Sequence, residues 1–127
     1  MSVETELRTR LLADSTVSGL IVARMYPQHL PQNPSYPAIT YQRITGSRTQ
    51  DLSGAGSRGR ITLQLNCWAN DPLAAQALAD AVRADIDGFI GTLTTLKVSI
   101  RMTNEFPGFE ETTERFEVIQ EYVINHS

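Results

Sequence analysis

The sequence predicts an α+β fold: a mostly antiparallel sheet of about four to five strands with two helices packed on it. Three observations lead there. Ile61, Leu63, Leu65 and Cys67 alternate with Thr62, Gln64 and Asn66, a pattern that only a period of two fits. Leu78, Val82, Ile86 and Phe89 recur at helical spacing in a segment with alanines at 74, 75, 77, 79, 81 and 84. Strand-like segments also follow one another directly, which favours antiparallel neighbours.

Taken in order, Val3, Leu7 and Leu11 mark a first helix, with Leu12 widening its stripe. Ser2 is placed to cap it. Glu4 and Glu6 precede Arg8 and Arg10 by four residues, the favourable order for helix ion pairs. Asp14-Ser15 ends this helix and caps a short turn, Thr16 to Leu20. Ile21 to Tyr26 is a short strand that Pro27 stops. Four prolines between Pro27 and Pro37 stiffen an extended loop.

Ala38 to Ile44 and Arg60 to Trp68 are strands, with a glycine- and arginine-containing loop, 46–59, between them. Asp71 and Pro72 open the alanine-rich helix, which runs to about Phe89. Leu93 to Met102 and Thr113 to Asn125 are the last strands, joined by an acidic loop, Asn104 to Thr112. Both faces of the last strand carry apolar groups: Phe116, Val118, Tyr122 and Ile124 on one, Ile119 and Val123 on the other. Cover from a helix or from a neighbouring subunit is expected there.

The 127 residues are the size of one domain, able to bury a core without disulfides or a structural metal. No apolar run is long enough to span a bilayer, and the acidic start lacks the layers of a secretory signal. Synthesis in a cytoplasm is expected. The net charge of −3 argues against generic nucleic-acid binding. Its distribution is uneven. Residues 43–60 hold four arginines (43, 48, 58 and 60) and one acid, Asp51, a balance of +3. Residues 104–127 hold six glutamates (105, 110, 111, 114, 117 and 121) and Arg115, a balance of −5. Opposite patches on one subunit offer a head-to-tail contact, and head-to-tail contacts close into rings.

Every motif with catalytic potential fails on context. Gly54-Ala55-Gly56-Ser57-Arg58-Gly59 has the spacing of a dinucleotide fingerprint, but it opens a strand where a helix is required. Lys97 is the only lysine, so no phosphate-binding loop exists. No zinc-ligand spacing occurs. Cys67, the single cysteine, lies in the alternating pattern as a small buried hydrophobe. His29 lies in the proline loop without a sequence-local partner. No enzyme activity, metal or cofactor is expected.

Arg24-Met25-Tyr26-Pro27, Leu30-Pro31-Gln32 and Tyr36-Pro37-Ala38-Ile39-Thr40-Tyr41-Gln42-Arg43 resemble the front half of the phage tail-completion, or tail-terminator, family of long-tailed phages, prophages and gene-transfer agents. Leu65-Asn66-Cys67-Trp68-Ala69, then Ala74, Ala77-Leu78-Ala79, Val82-Arg83 and Asp87-Gly88, resemble its middle. The resemblance spans roughly Val3 to Gly88; the C-terminal strands fit in pattern alone. It implies one tail-terminator-like domain over 1–127. It also implies a structural virion subunit that forms a ring, usually of six, on the head-proximal end of the tail tube. Such a ring stops tube polymerisation and joins the tail to the head-side connector. The implied partners are further copies of the chain, the major tail tube protein and a connector or stopper protein. DNA would pass through the lumen without specific binding, and no membrane is involved. Charge and loop position mark Arg48, Asp51, Leu52, Arg58, Glu117 and Glu121 as candidate protein contacts. The competing reading is a small cytoplasmic RNA- or ligand-binding module that uses the Arg43–Arg60 region.

Overall fold

The computed structural model of the chain describes residues 3–32, 34–50, 57–94, 96–110 and 115–126; at 45–50, 57, 58 and 110 it describes the backbone alone. The elements are helices α1 (Val3–Ala13), α2 (Ser15–Ile21) and α3 (Pro72–Ile86), and strands β1 (Met25–Pro27), β2 (Ala38–Gln50), β3 (Ser57–Ala69), β4 (Ile90–Thr92), β5 (Lys97–Glu110) and β6 (Arg115–His126). The strands form one sheet in the order β1-β2-β3-β6-β5-β4. The α+β class stands, with corrections. Among the described residues the sheet has six strands where four to five were expected, and it is mixed, since β1 pairs with β2 in parallel. Three helices pack on it where two were expected, because 15–21 is a full helix.

One face of the sheet carries the core. Ile39, Ile61, Leu63, Leu65, Cys67, Ile100, Val118, Tyr122 and Ile124 meet Val3, Leu7, Leu11, Val17, Ile21, Leu78, Val82 and Ile86 from the helices. The period-two and helical stripes read from the sequence are the groups removed from water, which is what amphipathic periodicity reports. Phe89 lies past the end of α3 and is half-buried. Cys67 is fully buried, and that burial pushes its thiol up, with the charges of Glu105 and Glu117 adding to the effect.

Of the three expected caps, the two on described residues are present. The Asp14 carboxylate accepts from Val17 N at 3.1 Å and opens α2, and the Asp71 carboxylate accepts from Ala74 N at 2.8 Å and opens α3. Ser2 lies outside the described residues. The charged groups of α1 turn to other elements instead of making the expected pairs along the helix. Glu4 holds Arg43 of β2 at 2.6 Å, and the Glu6 carboxylate accepts from Leu96 N at 3.2 Å. Arg8 Nε donates to Met25 O at 3.1 Å, and Arg10 Nη2 donates to Asp85 O at 3.1 Å. An exposed pair along a helix contributes roughly 0.3–0.5 kcal/mol, too little to outbid a buried carbonyl or amide that needs a partner.

The Arg10–Asp85 contact is only half satisfied. Arg10 Nη2 sits 3.4 Å from Asp85 Oδ1, and the guanidinium lies over the Phe89 ring at 3.8 Å. Arg10 Nε and Asp85 Oδ2 are buried without a hydrogen-bond partner. Burial raises the Asp85 carboxyl above its ordinary value; Arg10 opposes this and Asp14 adds to it. A raised folded-state value means that the folded chain binds this proton more tightly than the unfolded chain does. The associated stability is therefore complete below the ordinary carboxylate range and is lost as pH rises through the raised value. The Asp85→Asn variant should lack this loss. Denaturation midpoints of the two chains, measured from pH 3 to pH 7, should shift in favour of the variant as pH rises; curves that stay parallel would remove the assignment.

Candidate assembly surfaces

Two long hairpins dominate the sheet, and both extend past the boundaries expected from sequence. β2 does not end at Ile44. It runs to Gln50 and pairs with β3 out to Ser57, across a bulge between Arg43 and Thr45. Most of the expected 46–59 loop is thus strand. The expected acidic loop, 104–112, is strand up to Glu110, which pairs with Arg115 of β6 across a bulge between Met102 and Asn104. The expected strand Leu93 to Met102 begins only at Lys97, as part of β5; the short strand β4 precedes it, and Leu93 N donates to Leu96 O at 2.8 Å between the two.

The hairpins point in opposite directions. Gly59 is opposite His126 and Ala69 is opposite Phe116. The β2–β3 arm therefore continues past the C-terminal end of β6, while the Glu110–Arg115 pair of β5 and β6 lies at the far end, where β3 leads into α3. The arginine-containing segment and the acidic segment sit at the two ends of one sheet. Exposed apolar groups also gather by topology at the far end. Phe109 is 50% exposed and packs on Phe116 with ring centroids 4.9 Å apart, and Leu73 in the first turn of α3 is 83% exposed.

The structure scatters the six residues marked from sequence. Arg48 is on β2 opposite Gly59, and Arg58 is on β3 opposite Thr49, both on the arm. Asp51 and Leu52 lie outside the described residues, as do Gly54 to Gly56 of the glycine motif. Glu117 is opposite Trp68 and Gly108, near the far end, and its carboxylate accepts from Asn66 Nδ2 at 3.0 Å. Glu121 is opposite Gln64 and Asn104, and its carbonyl accepts from Thr103 Oγ1 at 3.2 Å. The arm and the two glutamates do not meet within one chain.

The three helices lie on one face of the sheet, so the other face carries Gln42, Gln64, Asn66, Trp68, Ile119 and Glu121 without helical cover. The proline segment crosses one corner of this face. It is tied down by Arg24 Nε donating to Pro37 O at 2.9 Å, and the Tyr36 ring faces the Arg115 guanidinium at 5.0 Å. Between it and the sheet lies a slot of about 270 Å³ lined by His29, Leu30, Thr40, Gln64, Asn66 and Trp68. Trp68 Nε1 donates to Thr40 Oγ1 at 3.0 Å, which satisfies the indole of the half-buried ring. The apolar second face of β6 is uneven: Val123 is 8% exposed, while Ile119 is half-buried and Phe106 beside it is 39% exposed.

Sequence reasoning missed the polar network under α3. Gln120 is fully buried; its Nε2 donates to Ala79 O at 2.9 Å and to Glu105 Oε2 at 2.8 Å, and its Oε1 accepts from Tyr122 OH at 2.9 Å. Arg83 Nη1 donates to both Glu105 oxygens at 3.2 Å. The signal was present: Gln120 interrupts the apolar face of β6, and a polar group in that place has to be bonded.

The sheet thus carries helices on one face, a β2–β3 hairpin projecting at one end and exposed apolar groups at the other. The sequence model of the tail completion protein gp17 family matches residues 5–118, and the chain belongs to that family. It is a structural protein of phage-type tails and a tail component of the virion. Its fold is similar to that of a chain from the virion of a native gene transfer agent particle, with a TM-score of 0.76 and 15% identity, covering 98% of this chain and 94% of that one. Among curated protein sequences nothing matches it significantly. No helix among the described residues is long and apolar enough to cross a membrane.

Proposed function

We propose that the chain is the tail terminator: a subunit that closes into a ring, six-fold by the family resemblance, on the head-proximal end of the tail tube. The ring stops tube polymerisation, offers a surface to the head-side connector and leaves a path for DNA. The observation that carries this reading is the match to a tail-completion family along 5–118. The similarity of fold to a virion chain and the projecting β2–β3 arm support it. A single tail-terminator-like domain over 1–127 is part of the same reading. No catalytic step is assigned; the work is done by contact surfaces.

The β2–β3 arm is the part placed to reach a tube or connector, because it projects beyond the end of β6. Deleting Thr49 to Ala55 removes the tip and leaves the buried residues of β2 and β3 untouched. The variant chain should fold, with a circular dichroism spectrum like that of the parent, and particles carrying it should show tails without heads or tails of uncontrolled length by electron microscopy. Tails of normal length joined to heads would remove the arm from this role.

A further inference from the structure

Edge strands expose rows of unpaired N–H and C=O groups, and proteins blunt the edges they do not use. Most edges of this sheet are blunted. The outer side of β1 is met by Arg8, whose Nε and Nη2 donate to Met25 O at 3.1 Å and Ala23 O at 3.4 Å. On β5 beyond β4, Met102 N donates to Asp87 Oδ1 at 2.9 Å. Ile100, Met102 and Pro107 oppose Ile124, Tyr122 and Val118, all on the same phase of the ladder, so the missing N–H of Pro107 falls on this outer side.

Besides the outer side of β5 around Pro107, where Glu105 and Phe109 share its outward phase, two stretches are left open among the described residues. Ile39 N and Tyr41 O are used by the β1 side, through Arg24 O and Gln28 N. Carried through the bulge, the same alternation turns the backbone of Arg43, Gly46, Arg48 and Gln50 outward, past the point where β1 stops. A notch of about 300 Å³ between Glu4, Pro27 and Arg43 opens at that point. The second open stretch is the outer side of β4. Phe89 O accepts from Ile100 N, and Leu93 N donates to Leu96 O, so Ile90 and Thr92 face outward.

These two stretches lie on opposite edges of the sheet and at the same level. Ser47 is opposite Arg60, Arg60 opposite Asn125, Asn125 opposite Ser99, and Ser99 opposite Ile90. Counted through the antiparallel ladders, β2 and β4 run in the same direction. Each edge bears an exposed isoleucine, Ile44 at 43% and Ile90 at 79%. The charge balance is complementary: 43–60 carries +3, while 80–92, leading into β4, carries Asp80, Asp85 and Asp87 against Arg83.

We infer that β4 of one copy adds in parallel to the open β2 edge of the next, so that the sheets of a ring join into one closed wall. This inference rests on the ring reading. The contact is heterologous, as ring closure requires. At this level each copy supplies five strands, β2, β3, β6, β5 and β4. With the usual spacing of ~4.8 Å, a ring of six would be about 46 Å across at the backbone, wide enough to leave a lumen.

The test uses full-length chain in assembled particles carrying Ser47→Cys and Ile90→Cys together, treated with a short bismaleimide. Cys67 is buried and stays silent. A denaturing gel should show a covalent ladder that climbs to the ring size and is absent from either single variant. Thr92→Pro, which removes an outward-facing N–H from β4, should keep the parent's circular dichroism spectrum and lose the rings seen by negative-stain imaging. Rings that form with Thr92→Pro and give no ladder with the cysteine pair would overturn edge pairing and leave the ring reading intact. Tails without any ring of the parent chain would overturn both.

Discussion

Replacing Gln120 with leucine should cost about 3 kcal/mol, although leucine fills a similar space and is apolar. The reason lies in the partners. Tyr122 OH loses its acceptor and Ala79 O loses a donor where both residues are fully buried, while the partly exposed Glu105 keeps its contacts with Arg83. Leaving buried groups unmade costs their desolvation, roughly 1–3 kcal/mol each, which outweighs the transfer gain of one apolar side chain. The melting temperature should fall by about 10 °C for a chain of this size. A double-mutant cycle checks the mechanism. Tyr122→Phe removes the orphaned hydroxyl, so the double variant should be less destabilised than the sum of the two single changes. Strict additivity would mean that Gln120 acts by packing alone.

Leu7→Ala should cost about 3 kcal/mol, the usual range for a fully buried leucine that leaves a cavity. Leu7 is the middle of the Val3, Leu7, Leu11 stripe that seats α1 on the core. The short Glu4–Arg43 bridge also ties α1 to β2, but the Arg43 side chain is 46% exposed. Such pairs contribute roughly 0–1 kcal/mol. Glu4→Gln should therefore shift the denaturation midpoint far less than Leu7→Ala, with the denaturant slope unchanged in both. A larger effect of Glu4→Gln would show that the ion pair, and not the packing, holds α1.

Neither change touches the arms, so both should lower the yield of assembled particles in proportion to lost stability, without altering the form of the assembled rings. The arm deletion and the edge variants predict the converse: an unchanged monomer and a failed assembly. That separation makes the assembly surfaces testable apart from the fold.

The sequence by itself determined the core. Leu63, Leu65 and Cys67 on a period of two, and Leu78, Val82 and Ile86 on a helical period, are buried because repeating burial on one face is what writes such a pattern. Caps were legible for the same local reason: Asp14 and Asp71 bond amides three residues away. The arms were not legible. Beyond Gly46 the sequence offers only Leu52 as a sizeable apolar group before Ile61, and beyond Asn104 the described part of β5 buries no continuous face, so composition there resembles a loop. The partners of Glu4, Glu6, Arg8 and Arg10 were misread as local, because tertiary packing brought distant carbonyls, carboxylates and amides within reach. Which edges stay open was decided by tertiary structure alone. It depends on where β1 stops, on the side of β5 to which Pro107 turns its missing donor, and on β2 and β4 standing level across five strands, and none of these has a period that a single segment can show.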